Sequence, residues 1–166
     1  GKTTAGKALA SILGGTNGAG LIHMDEFFLP PSLRTAERLQ TPGGNVHHER
    51  FLEEVIPHLN KREGFSYRPF SCQTMALGPE KVVSPGLWRI VEGAYSCHPV
   101  LGDYMDFRVF FEVSRSTQKA RLLQREGESG LAAFLERWLP MEEAYFSAFQ
   151  TPQKAHLRIV SDANEV

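Results

Sequence analysis

Apolar residues first recur at helical spacing, where Ala5, Leu9, Ile12 and Leu13 share one face, and Gly14-Gly15 predict where that helix stops. Leu21-Ile22-His23-Met24 is a short apolar run broken by Asp25, which predicts a strand with an acid at its carboxyl end. From Pro30-Pro31 to Pro42-Gly43-Gly44 the periodicity disappears, and the density of proline and glycine predicts a loop. Phe51, Leu52, Val55, Ile56 and Leu59 then mark one amphipathic helix. Trp88-Arg89-Ile90-Val91 predicts a second strand ending at Glu92-Gly93. Phe107 to Val113, rich in aromatic and β-branched residues, predicts a third. Ser114 to Arg125 reads as helix and stops at Gly127, residues 131–149 are helix-rich, and Leu157-Arg158-Ile159-Val160 closes as a strand. Strands alternating with helices predict an α/β fold, with a parallel sheet covered on both faces.

In an open parallel sheet, ligands sit beyond the carboxyl ends of the strands. Three features fall there: the opening residues, Asp25 and Glu92. Gly1-Lys2-Thr3-Thr4 reads as the tail of a phosphate-binding loop, whose full pattern is a glycine, four residues, then Gly-Lys-Ser/Thr after a buried strand. The sequence thus reads as starting in mid-motif, with that strand and the first half of the loop expected upstream. Gly1, Lys2, Thr3 and Thr4 are the candidate nucleotide-binding residues. Lys2 would neutralise phosphate oxygens, the Thr3 hydroxyl would ligate Mg2+, and the backbone N–H groups of the helix start would face the phosphates. Asp25 is placed to accept or orient the proton of an attacking hydroxyl, and Glu92 to hold the metal through water. Either acid alone is more simply read as a cap or turn residue; the convergence of all three favours chemistry. Arg121 and Arg125 are four apart on one predicted helix and, with Lys119, could close over a transferring phosphoryl group. A lid-like segment is expected over residues 121–140, with a hinge near Glu126, Gly127, Glu128 and Gly130.

Composition adds bounds. At 166 residues, 42% hydrophobic and 22% charged, the chain suits a single domain over 1–166. A net charge of −1 gives no support to a nucleic-acid or membrane-surface partner. No apolar run approaches the roughly 20 residues that span a bilayer. Two cysteines, Cys72 and Cys97, make no disulfide framework and fit reduced thiols in the cytoplasm. Other motifs are declined. His47-His48-Glu49 has no second histidine at zinc-site spacing, with Leu52 in the way, and Cys97-His98 has no partner pair. Trp138, Tyr145, Phe146 and Phe149 read as a core-facing helix stripe, and no serine lies in a Gly-x-Ser-x-Gly context.

Met24-Asp25-Glu26-Phe27-Phe28-Leu29, Pro42-Gly43-Gly44-Asn45 and Tyr67-Arg68-Pro69-Phe70 together resemble the uridine kinase-like branch of P-loop kinases. Val91-Glu92-Gly93-Ala94-Tyr95-Ser96 and Trp138-Leu139-Pro140-Met141-Glu142 extend the resemblance in the same order. It implies a three-layer α/β/α fold of nucleoside monophosphate kinase type, with a five-stranded parallel core whose first strand precedes Gly1. It also implies ATP and Mg2+ as cofactors, phosphorylation of a 5′-hydroxyl with Asp25 as the base-like carboxylate, and lid arginines at Arg121 and Arg125. Substrate contacts would come from Phe28, Asn45, His48, Arg50, Tyr67, Arg68, Gln73 and Tyr95. By analogy with that branch a homo-oligomer is expected.

Two departures bear on the acceptor. His47-His48 stands where uridine kinases have Asp-His, and Phe70-Ser71 where they have Tyr-Asp. Losing that carboxylate and that phenol removes hydrogen bonds that read a nucleoside, and such bonds discriminate strongly. The reading is therefore a P-loop kinase acting on a small hydroxyl substrate, a pyrimidine nucleoside first, a pantothenate- or glycerate-type acceptor next. A nucleotide-binding regulator without transfer activity is the rival from another class, and the presence of both Asp25 and Glu92 speaks against it. The 166 residues alone are expected to bind ATP weakly, and to bind it well once the preceding segment is joined.

Overall fold

A computed structural model describes residues 1–15 and 18–161. The chain divides into two compact units, one from Gly1 to Tyr104 and the other beginning at Met105. The first runs through α1 (Lys2–Gly14), β1 (Ala19–His23), 3-10 turns at Met24–Phe27 and Pro31–Leu33, α2 (Ala36–Gln40), α3 (His48–Glu54) and α4 (Ile56–Leu59). It continues through β2 (Phe65–Tyr67), β3 (Phe70–Ser71), β4 (Ala76–Leu77), β5 (Lys81–Val83), β6 (Trp88–Glu92) and a 3-10 turn at Pro99–Leu101. The second comprises β7 (Val109–Glu112), α5 (Arg115–Ala133), a π-helical turn (Phe134–Trp138), α6 (Leu139–Phe149) and β8 (Leu157–Val160).

The centre of the first unit is the parallel pair β1–β6, in register from Ala19 opposite Trp88 to His23 opposite Glu92. Helix α1 packs closely on this pair because Gly6 has no side chain: a methyl there would stand 3.3 Å from Leu21 Cδ1 and 3.4 Å from Glu92 Cγ. Successive residues of a strand face opposite ways, so the neighbour of Leu21, Gly20, faces the other side, where a methyl would stand 2.5 Å from Val83 Cγ1. Glycine at both positions thus lets a helix and a second layer press on the same strand. Behind it, Phe27 packs edge-on against Phe51 with ring centroids 5.1 Å apart and lies 4.9 Å from the ring of Tyr67. Ile22, Met24, Leu29, Val46 and Val55 complete this core, all fully or almost fully buried.

The second unit pairs β7 with β8, parallel, from Val109 opposite Leu157 to Glu112 opposite Val160. Helix α5 starts under a Ser114 cap, whose Oγ accepts from the Thr117 N–H at 3.3 Å. Tyr145 of α6 is fully buried between the rings of Phe146 and Phe149, whereas Trp138, Phe146 and Phe149 are only partly buried, so of the expected stripe only Tyr145 is fully core. Trp138 lies at the end of the π-helical turn with Arg137 over its ring at 4.8 Å.

Several elements differ from the sequence expectation. The region read as loop contains α2, capped by Thr35 Oγ1 accepting from the Arg38 N–H at 3.1 Å. The single helix expected over Phe51 to Leu59 starts earlier, at His48, and breaks into α3 and α4 at Val55, because Pro57 has no N–H to continue the ladder. Helix α5 is interrupted at Gly127, where φ is 72° and the backbone leaves helical geometry, so the helix breaks where the sequence predicts, and helical structure then resumes as far as Ala133. The third strand is shorter than expected, Val109–Glu112. Two antiparallel pairs, β2–β5 and β3–β4, were not foreseen. Among the described residues the parallel pairing consists of β1–β6 and β7–β8. No described helix is long and apolar enough to cross a membrane.

Candidate functional site

The site forms at the carboxyl end of β1–β6. Thr3, in the first turn of α1, donates its hydroxyl proton to Glu92 Oε1 at 3.1 Å. The same oxygen is met by Nδ1 of His23, which stands opposite Glu92 in the ladder. The Glu92 side chain is only 10% exposed. Both donors converge on Oε1, so among the described residues Oε2 remains uncommitted. The Thr3 oxygen, donating its hydrogen to that bond, keeps its lone pairs. A hard divalent cation prefers oxygen ligands of this kind, so Thr3 and Glu92 fit the group expected from the sequence.

Asp25 lies on the 3-10 turn that follows β1, rather than on the strand end itself, and its side chain is exposed. The turn after β6 presses on it: at Gly93, with φ 140°, a methyl would fall 2.6 Å from Met24 Cβ and 3.4 Å from Asp25 Oδ1. Only glycine holds that backbone conformation without strain, and only glycine allows the two acid-bearing turns to touch. Thr3, Asp25 and Glu92 are thus gathered as the sequence predicts, with Gly1, Lys2 and Thr4 exposed at the helix start beside them.

His23 and Glu26 are the additions that sequence reasoning missed. Glu26 receives Lys81 Nζ on both oxygens, at 2.8 and 2.9 Å, and the hydroxyl of Tyr67 on Oε2. Burial, with the Glu26 bond next, pushes the Tyr67 phenol well above its usual range. Tyr67, read from the sequence as a substrate contact, instead anchors the turn that bears Asp25 to the β2–β5 pair. The sign that could have found this was a charge on each side: an acid next to Asp25 and a lone lysine in an apolar strand.

Phe28 and Asn45 come together through the pairing of residues 27–29 with 45–47. His47 N–H donates to the Phe27 carbonyl at 2.7 Å and Leu29 N–H to the Asn45 carbonyl at 2.9 Å. Asn45 and His48 are each 5% exposed, yet neither polar atom of the Asn45 amide, nor His48 Nε2, meets a hydrogen-bond partner among the described residues. Buried polar groups are normally satisfied, so these three atoms within four residues depart from the rule. Burial, and then the neighbouring His98 ring 4.0 Å away, lower His48 to a pKa of about 3, so this imidazole is neutral. His98 is itself fixed: its Nδ1 accepts from the Val100 N–H, so its Nε2 donates to the Pro42 carbonyl at 3.1 Å.

The expected basic contacts are engaged elsewhere. Arg50 forks onto Glu54 with two 2.7 Å bonds and lies over the Phe27 ring, and Arg68 holds the carbonyls of Leu77 and Gly78. Arg38 forks onto Glu49, and that bond, its largest cause, holds the Glu49 carboxyl down to about 2. Tyr95 is buried, while Gln73 is exposed in the β3–β4 turn. Arg121 and Arg125 belong to the second unit, where Arg121 donates to the Ser161 carbonyl at 3.0 Å and Arg125 to Glu126 at 2.6 Å.

An α/β fold with helices on parallel strands, and a threonine at a helix start joined to a strand-end acid, defines the class. It is the fold of P-loop kinases, in their uridine kinase-like form. No protein-family model matches the chain, and no curated protein sequence matches it. Among solved structures it is similar to a possible uridine kinase from Bacillus stearothermophilus, with TM-score 0.68 and 16% identity over 96% of this chain and 82% of that one. It is also similar to a candidate fructose transport system kinase from Silicibacter sp. TM1040, with TM-score 0.71 and 21% identity over 95% of this chain and 82% of that one. At such identities the likeness is one of fold.

Proposed function

We propose that the protein is an ATP-dependent kinase that transfers the γ-phosphoryl group to a hydroxyl of a neutral small molecule, with a pyrimidine nucleoside as the first candidate acceptor. The observation that carries this reading is the joining of Thr3 to Glu92 with Asp25 packed against the same turn. Phosphoryl transfer asks for positioning and charge neutralisation more than covalent chemistry. Lys2 and the N–H groups of the α1 start would bind the phosphates, and Thr3 and Glu92 would hold Mg2+. When bound, Mg2+ supplies charge neutralisation on the phosphate oxygens. Asp25, exposed at the edge of the site, would orient the acceptor hydroxyl and receive its proton.

The character of the acceptor follows from the polar groups left to meet it. Asn45 and neutral His48 offer hydrogen bonds without charge, whereas Arg38, Arg50 and Arg68 are held by protein partners. That favours a nucleoside or sugar over an acid of glycerate or pantothenate type. The names of the two structural neighbours, a possible uridine kinase and a candidate fructose transport system kinase, are in keeping with a neutral hydroxyl acceptor. Cys72 and Cys97, neither of them in a disulfide, fit a reducing compartment such as the cytoplasm.

The test is ADP release by the full-length protein with Mg·ATP and, in turn, uridine, cytidine, fructose, glycerate and pantothenate. Acceptor-dependent release with a nucleoside or fructose is expected. Asp25→Asn should lower kcat by roughly 10²–10⁴ while leaving ATP affinity in place. No stimulation by any acceptor, or full turnover by Asp25→Asn, overturns the reading.

A further inference from the structure

We propose that His23 is a positioning residue for the metal-binding carboxylate: its imidazole fixes the oxygen and orientation with which Glu92 meets the cation. The inference rests on the kinase reading above, and adds to it a residue that neither the phosphate-binding motif nor the acid pair contains.

The geometry begins in the ladder. His23 and Glu92 are the last residues of β1 and β6 and stand directly opposite each other. A carboxylate can only accept, so the ring must carry its proton on Nδ1 to bond Glu92 Oε1. Thr3 adds a second donor to that same atom from the other side of the site, where α1 begins. Two donors on one oxygen set the plane of the carboxylate and leave the other oxygen as its outward ligand. Carboxylates that bind metals are characteristically held by such outer hydrogen bonds, and removing one costs about 10–100-fold in affinity or activity. Thr3 belongs to the proposed nucleotide-binding turn and would report on phosphates as well as metal. Among the described residues the His23 imidazole hydrogen-bonds Glu92 and no other side chain, which makes it the cleaner probe.

A mere adhesive between β1 and β6 would produce the same contact, so the experiment separates the two. Mn2+ binding to the full-length protein in the presence of ADP is measured by electron paramagnetic resonance for the parent, His23→Ala and His23→Asn. The Asn amide nitrogen takes the place of Nδ1 and keeps the donor. Expected are a 10–100-fold weaker Mn2+ constant for His23→Ala, recovery toward the parent in His23→Asn, and ADP affinity without metal unchanged in both. His23→Ala with parental Mn2+ affinity, or His23→Asn as weak as His23→Ala, overturns the proposal and leaves the kinase reading standing. A parent protein that binds neither ADP nor Mn2+ with ADP overturns both. If His23→Ala fails to fold, His23→Asn against His23→Leu decides the matter: equal Mn2+ affinity for those two overturns the proposal.

Discussion

The two parallel strand pairs of this protein are built alike and end differently. Each has a glutamate as the last residue of one strand, Glu92 in β6 and Glu112 in β7. Glu92 is sheltered, faces an imidazole across the ladder and accepts a hydrogen bond from a threonine hydroxyl. Glu112 faces Val160 in register and is closed by Arg158 at 2.6 Å, with both side chains about half exposed. An acid whose donors both meet one oxygen at a sheltered strand end leaves its other oxygen for the cation proposed above. An acid capped by a guanidinium has already met its counter-charge. Position at a strand end is therefore not enough to define a site; the neighbours decide.

The sharpest way to separate the two regions is to empty a ring from each core. Phe27→Ala removes a fully buried ring that touches both Phe51 and Tyr67, and should destabilise by about 3–5 kcal/mol in urea unfolding. Phe110→Ala removes a partly buried ring packed on Phe146, and should cost clearly less. The Phe27 change should also displace the Asp25 turn, since Phe27 ends that turn and shares Tyr67 with Glu26. Equal losses for the two variants would mean that the regions do not differ in packing as they do in burial.

A second contrast is pH. The unfolded chain protonates His48 near 6.5, whereas the folded chain holds it neutral down to about 3. Stability from this group is complete above pH 6.5 and is lost as pH falls through that window, by at most about 1.4 kcal/mol per pH unit. His98, lowered chiefly by its burial, acts in the same direction. His48→Gln should flatten the acid limb of a stability–pH profile measured by thermal melting. An unchanged slope would show that His48 is not protected from protons in solution.

Much of this contrast was legible in the sequence, and the part that was not has a physical reason. The strand-end acids and the helix that begins at Lys2 show in a linear pattern, because apolar runs and their breaks report strands directly. The break at Val55 was visible too, as Pro57, but the periodic residues Phe51, Val55 and Leu59 outweighed it. The antiparallel pairs β2–β5 and β3–β4 are two or three residues long, too short to display a period of two. His23 and Glu26 escaped because their roles depend on who stands opposite: Glu92 across a ladder, Lys81 55 residues away. Arg50, Tyr67 and Arg68 illustrate the converse, since a resemblance transfers a residue type without transferring the partners that occupy it.

The smallest expected effect tests the plainer strand end. Arg158→Gln removes the cation from Glu112 while keeping a side chain of similar reach. Exposed ion pairs contribute about 0–1 kcal/mol, because two solvated chains give up freedom for an interaction that water and salt weaken. The loss in urea unfolding should therefore stay within that range and shrink further as salt is raised. Phosphoryl transfer at saturating substrate should be unchanged, since Arg158 serves Glu112 and has no role in the proposed mechanism. A larger, salt-insensitive loss would place Glu112 in an environment as sheltered as that of Glu92. The distinction between the two strand ends would then rest only on the donors Thr3 and His23, and not on exposure as well.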